Sequence, residues 1–487
     1  SFAQTNSLTL GCPTRNGSGY SFTSLTLSTS TSVRGVTISF SENPEGCSIS
    51  ATTPSDWNLS STSNDYVKSY TLPTNVTSEA IQNFLRSIVF RVPSNTLKNV
   101  QILLQTDDGS SERQVIYYSG NRHYYEYVAG TVSWTNAYTA AKARNYCGRQ
   151  GYLATLTSAG EDQFVSRLVQ NAMWLGGTRL TNTGSEDSQY FSGFSTSSSA
   201  GYWYWACGPE NGDTIINAST AVASSYVDAM SWYADQNAQY GYTNWAYARR
   251  TTNSSLYSAE PNGGSTWSRE SCLTILKLPV SDEAGWDRTS VTRSSQYAIV
   301  EDEHFFGWND VTQGGGSSGQ WQPKGYLVEY GDLPIGDSGE GSESACAILA
   351  TGMVGSAEIT RSATISGNST ICADETATLT LSFDSEFPPY RGEIVDLNGN
   401  NIKSFSTDEN PYTFTVTPTP TEMTTYTVSE FTDNSSTTGS DGCPDVYNII
   451  YEKLGSATVT VNTPQVALND IASVSICAGA STTLTAT

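Results

Sequence analysis

Short runs in which apolar and polar residues alternate, each closed by Gly, Pro, Ser or Asn, fill the first 120 residues. Leu8 and Leu10 keep a period of two. So do Val36, Ile38 and Phe40, then Ile102 and Leu104, then Val115 and Tyr117. That period sends successive side chains to opposite faces of a strand. Several such runs separated by turn residues predict a β-sandwich over residues 1–120. Ala80-Ile81-Gln82-Asn83-Phe84-Leu85 is the one helical turn expected there.

At 487 residues the chain exceeds one ordinary core, so several domains are expected. Charged residues make up 15% and the formal charge is −23. Phosphate binding needs a basic patch, so no nucleic-acid partner is expected. The same charge suits a solvated extracellular surface and cation binding. No run of eighteen apolar residues occurs, so no transmembrane span is expected in this chain. Ser1-Phe2-Ala3-Gln4 reads as the tail of a secretory signal, with cleavage after Ala3. Nine cysteines point to an oxidising compartment. No two lie close enough for zinc-ligand spacing. Their positions predict local pairs Cys12–Cys47 and Cys372–Cys443. Cys477 has no local partner, and Cys147, Cys207, Cys272 and Cys346 leave three pairings open.

An internal repeat marks the C-terminal part. Ile371-Cys372-Ala373 with Thr378-Leu379-Thr380 returns as Ile476-Cys477-Ala478 with Thr483-Leu484-Thr485. The offset, 477 − 372 = 105 residues, is one immunoglobulin-like sandwich long. Residues 335–357, Gly/Ser-rich and then apolar, read as a linker. A first repeat is expected over 358–463, and the start of a second over 464–487. The second copy lacks most of a sandwich's strands, so the natural protein is expected to continue. Thr424-Thr425-Tyr426-Thr427-Val428 and Gly442-Cys443 resemble the late strands of tandem immunoglobulin-like repeats in large Bacteroidota adhesins. That resemblance implies type IX secretion and a gliding-motility context. Arg86-Ser87-Ile88-Val89-Phe90 resembles cadherin-like sandwiches that precede lectin modules, and implies the fold only.

Two short motifs in the middle carry chemistry. Glu260-Pro261-Asn262 places two side-chain oxygens two residues apart across a rigid proline. Trp308-Asn309-Asp310 offers another pair. Calcium takes six to eight oxygens from such groups, and vicinal sugar hydroxyls can complete its shell. An ordered set surrounds these motifs. Tyr124-Tyr125-Glu126-Tyr127-Val128 and Ser133-Trp134-Thr135-Asn136-Ala137 come first, then an amphipathic helix to Cys147. Gly151-Tyr152-Leu153-Ala154-Thr155-Leu156, a helix from Glu161 to Val169, and Trp174-Leu175-Gly176-Gly177 follow. Gly201-Tyr202-Trp203-Tyr204-Trp205, Gly208-Pro209-Glu210 and Tyr242-Thr243-Asn244-Trp245 precede the metal motifs. Gly325-Tyr326-Leu327-Val328-Glu329-Tyr330 closes the segment. The set resembles the C-type lectin domain. The expected class is therefore multidomain and mainly β, with an α+β lectin-like domain at 121–334 between the N-terminal β-sandwich and the Ig-like repeats.

The resemblance implies calcium ligands Glu260, Asn262, Asn309 and Asp310, with one further acid just before the next strand. That acid is Glu270 if Ser271-Cys272-Leu273-Thr274-Ile275 is the strand. It is Glu301 if Gln296-Tyr297-Ala298-Ile299-Val300 is; Glu270 is the closer match. Glu-Pro-Asn goes in that family with equatorial vicinal hydroxyls, as in mannose, glucose or N-acetylglucosamine. Val328 stands where the family places the partner of Cys147, so Cys147–Cys346 and Cys207–Cys272 are the pairs expected instead. No nucleophile constellation or phosphate loop is visible, and His304 reads as a surface histidine, so no enzyme is expected. Asp213-Thr214-Ile215 fits a short O-glycosylation pattern. The expected function is a calcium-dependent, glycan-binding, secreted cell-surface adhesin that engages secretion and surface-anchoring machinery. The alternative is a structural or protein-binding surface filament whose lectin-like domain does not bind sugar.

Overall fold

The computed structural model describes residues 6–462, apart from 42–45, 107–112, 167–170, 199–201, 218–225, 250–255, 262–269, 277–306, 316–321, 332–346, 419–422 and a few single positions. It is mainly β, 51% strand and 11% helix, with four helices among the described residues. None of those helices is long and apolar enough to cross a membrane. The chain divides into two compact units, 1–355 and 356–487.

The first unit begins with two facing sheets. Val33–Phe40 pairs with Thr96–Thr106 on one side and Val67–Thr71 on the other. Gly19–Ser21, Val89–Arg91 and Ser48–Ser50 belong to the opposite sheet. Val36, Ile38, Phe40, Ile102, Leu104, Ile49 and Phe90 fill the space between them. The expected helical turn is helix Ser78–Ser87. Thr77 caps it by accepting from Ala80 N, and Ile81, Phe84 and Leu85 face the core. Strand Thr96–Thr106 is buried on its other face as well. There Gln101 Nε2 donates to Tyr117 O (2.8 Å), while Tyr117 N donates to Gln101 Oε1 (3.0 Å). Gln105 Nε2 donates to Arg113 O (2.9 Å). Two glutamines thus satisfy backbone groups on the open side of edge strand Gln114–Tyr118.

The rest of the first unit is a larger sheet with helices against it. His123–Ala129 pairs with Gln114–Tyr118 and with Gly325–Tyr330. Met173–Thr178 joins Gly325–Tyr330, Tyr202–Trp205 and Cys272–Ile275, and Cys272–Ile275 pairs with Trp308–Val311. Helix Trp134–Lys142 buries Trp134, Ala137, Tyr138 and Ala141. It stops at Lys142 and does not run to Cys147. Asn145–Tyr146 turns back onto Arg149–Gln150, with Cys147 at φ 50° and Gly148 at φ 75°. Two residues at positive φ form a hairpin turn that a helix cannot accommodate. Helix Ala159–Ser166 lies where Glu161–Val169 is expected; residues 167–169 are outside the described residues. Gly176 and Gly177 lie inside strand Met173–Thr178. A Cβ on Gly176 would meet Leu153 O at 2.7 Å, so the close approach needs glycine.

The cysteine expectations need correction. Cys12, Cys147, Cys372 and Cys443 are disulfide-bonded. Cys47 is not disulfide-bonded, so Cys12–Cys47 does not form. Cys47 is a thiol packed in the sandwich core, and burial raises its pKa. Cys207 and Cys272 are free thiols. They flank strand Met173–Thr178 from opposite sides. Two strand spacings are about 9.6 Å, beyond the roughly 7 Å Cα separation that a disulfide tolerates. Cys346, the expected partner of Cys147, lies outside the described residues.

The second unit is a two-sheet sandwich. Ala363, Ile365, Leu379, Leu381, Phe383, Ile394, Phe405, Tyr426 and Val459 form its core. Ala357–Thr364 pairs in parallel with Tyr447–Leu454, and Ser369–Cys372 in parallel with Ala457–Asn462. The start of the expected second repeat, 464–487, lies outside the described residues.

Candidate functional site

Glu260 and the strand of Asn309 and Asp310 lie on either side of the segment 244–246. Asn309 and Asp310 sit in Trp308–Val311, opposite Thr274 and Leu273. Trp308 N donates to Asn244 O (2.6 Å), and Ala246 N donates to Trp308 O (2.9 Å). Glu260 N then donates to Ala246 O (2.9 Å). One ladder of backbone bonds therefore runs from Trp308 through Ala246 to Glu260. The Glu260–Pro261 peptide is cis. Tyr233 Oη donates to Glu260 O (2.6 Å). Glu260 is 5% exposed, Asn309 6% and Asp310 1%.

Glu270 stands at the head of the strand that pairs with Trp308–Val311. Burial, and then the charge of Asp310, push its carboxyl up to about 7. A neighbouring negative charge that raises the cost of ionising a carboxyl is the electrostatic situation that a bound cation relieves. Glu260, Glu270, Asn309 and Asp310 each offer side-chain oxygen, the donor type that calcium takes. Asn309 Nδ2 donates to Asp310 O (3.1 Å), leaving its Oδ1 as the acceptor. Arg179, 1% exposed, feels the charge of Asp310; burial lowers its pKa and that charge opposes the shift. Asn262, Glu301 and His304 lie outside the described residues.

Gly307 controls this ladder. A Cβ there would meet Asn244 O at 1.9 Å. Gly307→Ala is expected to part Trp308 from Asn244–Ala246, costing about 1–3 kcal/mol. Gly314→Ala, whose Cβ meets nothing within 4 Å, should not. Chemical denaturation of both variants checks this.

A second polar cluster was not legible from sequence. His123 Nδ1 lies 2.5 Å from Glu329 Oε1, and Tyr125 Oη bonds Glu161 and Glu329. Thr155 Oγ1 donates to Glu210 Oε2 (2.7 Å), and Thr155 N to Glu329 Oε2 (2.9 Å). Burial and the Glu329 charge push Glu161 up to about 7 and raise Glu210. Beside it, burial pushes Asp162 up to about 6, against hydrogen bonds from Tyr242 (2.9 Å) and Asn244 (2.8 Å). The only available signal was an acidic residue, Glu329, inside the apolar run Tyr326–Tyr330. Of the Trp/Tyr-rich stretch 202–245, Trp203, Trp205 and Trp245 are core, whereas Tyr202 is half exposed. No group of three His, Cys, Asp or Glu with metal-site geometry is found among the described residues.

No protein-family model matches the chain. It is similar to Halomucin of Haloquadratum walsbyi, 26% identical over 388 residues. The match covers 77% of this chain and 3% of Halomucin's own length. A solved structure titled biofilm associated protein, BSP domain, aligns over 95% of this chain and 67% of that one, at 9% identity and a TM-score of 0.13. That superposition carries no inference. Neither comparison bears on a C-type lectin or a Bacteroidota source.

Proposed function

We propose that this chain is the glycan-binding part of an extracellular, cell-surface adhesin, with a C-type-lectin-like segment carried on Ig-like modules. The observation that carries the proposal is the backbone ladder joining Glu260 to the strand of Asn309 and Asp310, with Glu270 beside Asp310. Bound calcium would supply a cation with coordination positions left for two vicinal hydroxyls. The carboxylates of Glu260 and Glu270 would accept hydrogen bonds from those hydroxyls, and Asn309 would orient them. The acidic, cysteine-bearing composition and the similarity to Halomucin favour a place outside the cell. The role is binding, not catalysis.

The test is calorimetry with calcium, followed by a glycan array with and without chelator. The native chain should bind calcium, and Asp310→Asn should abolish binding at millimolar calcium. Equatorial vicinal diols should be preferred, and Glu260→Gln with Asn262→Asp should change that preference. Absence of calcium binding by the native chain sinks the proposal. A sugar-independent, protein-binding filament is the second reading. It is favoured by the bond from Asn309 Nδ2 to Asp310 O, which already occupies one acceptor of that carbonyl.

A further inference from the structure

Asn-Gly occurs four times in the chain, at Asn16, Asn211, Asn262 and Asn398. Glycine leaves the nitrogen that follows an asparagine unshielded, so that nitrogen can close a five-membered ring on the side-chain amide carbon. The fold treats these pairs differently; Asn262 lies outside the described residues. Asn16 Nδ2 donates to Ser21 Oγ (2.9 Å), and Ser21 Oγ donates to Ile88 O (2.6 Å), which pins that amide to the sandwich. Both polar atoms of the Asn211 amide are buried, and Gly212 N donates to Trp205 O (2.8 Å) in the turn before strand Thr214–Asn217. Asn398 stands in the exposed turn between strands Tyr390–Asp396 and Asn401–Thr407. Its neighbour Leu397 is 75% exposed. A Cβ on Gly399 would meet nothing within 4 Å, so the approach to its nitrogen is open. Asp396 closes this turn. Its Oδ1 accepts from Asn398 N (2.8 Å) and Asn400 N (2.9 Å), and its O accepts from Gly399 N (3.0 Å). An exposed turn held by local bonds opens at little cost.

We propose that Asn398–Gly399 is a self-modification site, where water converts the asparagine to aspartate and isoaspartate faster than at Asn16 or Asn211. Gly399 N loses its proton to solvent base and attacks Asn398 Cγ. The new N–Cγ bond closes a succinimide, the bond from Cγ to Nδ2 breaks, and Nδ2 leaves as ammonia. Water then adds to one of the two imide carbonyls. Opening at Cγ gives aspartate, and opening at the main-chain carbonyl gives isoaspartate. The net change is one water in and one ammonia out, with no oxidant or reductant. Attack starts from a deprotonated nitrogen, so the rate rises with pH. Either product places a second carboxylate two residues from Asp396. Isoaspartate also adds a main-chain carbon to the turn that Asp396 closes. Strand Asn401–Thr407, which follows, lies at the edge of its sheet, so the change falls on a strand held from one side.

The experiment holds the full chain at mildly alkaline and at mildly acidic pH and follows each Asn-Gly peptide by mass spectrometry, with fragmentation that tells isoaspartate from aspartate. Under alkaline conditions Asn398 should convert at least about fivefold faster than Asn16 or Asn211, the factor that one further net hydrogen bond to be broken supplies. Acidic conditions should slow it. In urea the three pairs should convert at similar rates, because the fold sets the ranking. Asn398→Gln would need a six-membered ring and should stop conversion at 398 while leaving Asn16 and Asn211 as in the native chain. A native chain in which Asn16 or Asn211 converts as fast as Asn398 overturns the proposal, as does one in which Asn398 stays unconverted. The same ranking in urea overturns it too, because local sequence and not the folded turn would then be the cause.

Discussion

Glu126→Ala is expected to destabilise the first unit by about 3–5 kcal/mol, the range for breaking a buried ion pair from one side. Glu126 is 1% exposed and sits centrally in strand His123–Ala129, between Val115 and Val328. Arg113 Nε and Nη2 donate to its two oxygens (3.1 and 2.8 Å), Arg144 Nη2 donates at 3.0 Å, and Tyr330 Oη at 2.5 Å. Burial alone would raise this carboxyl. The hydrogen bonds and charges of Arg113 and Arg144 outweigh burial and hold it below the usual range. Without it, Arg113 is left buried between Tyr146 and Tyr330. Arg144 is a third exposed and can turn to water. The double change Glu126→Leu with Arg113→Met should therefore recover much of the loss. Urea midpoints at constant slope check both.

Stability in chelator should fall as pH rises from about 4 to 7. Asp162, raised from 3.8 to about 6, and Glu161, raised from 4.5 to about 7, both prefer their protons in the folded state. A group with a raised folded pKa contributes stability that is fully present below its unfolded pKa and is lost as pH climbs through the folded one. For Asp162 this amounts to on the order of 3 kcal/mol. Glu161 acts in the same direction. Glu126 works oppositely, but only at lower pH, where its depressed carboxyl begins to protonate. The expected melting temperature is thus several degrees higher near pH 5 than at pH 8. Asp162→Asn should flatten the slope, because the amide keeps the shape and does not titrate. A melting temperature that rises from pH 5 to 8 would contradict this assignment of the buried acids.

What was legible in sequence was local. The Ile81, Phe84 and Leu85 stripe specifies its helix without help from the fold. The Ala137, Tyr138 and Ala141 stripe does so too. The Cys147 turn was missed because a cysteine at positive φ is rare and only Gly148 hinted at it. Ala246 as the rung between Trp308 and Glu260 was hidden in a stretch that reads as aromatic core. Gln101 and Gln105 look like surface residues of an alternating strand. Their partners, Tyr117 and Arg113, become neighbours only when Thr96–Thr106 is covered on its second face. The pairs Cys12–Cys47 and Cys207–Cys272 failed for a similar reason, since closeness in sequence says nothing about strand order.

The parallel pairings of the second unit bear on tension. Its entering strands, Ala357–Thr364 and Ser369–Cys372, lie alongside its leaving strands, Tyr447–Leu454 and Ala457–Asn462, through eight and four paired positions. A pull on the chain at the two ends of this unit acts along those strands in opposite directions. Their bonds are then loaded together in shear and cannot be unzipped one at a time. A tether carrying an anchored ligand against flow needs that response, because such a module holds its length until many bonds fail at once.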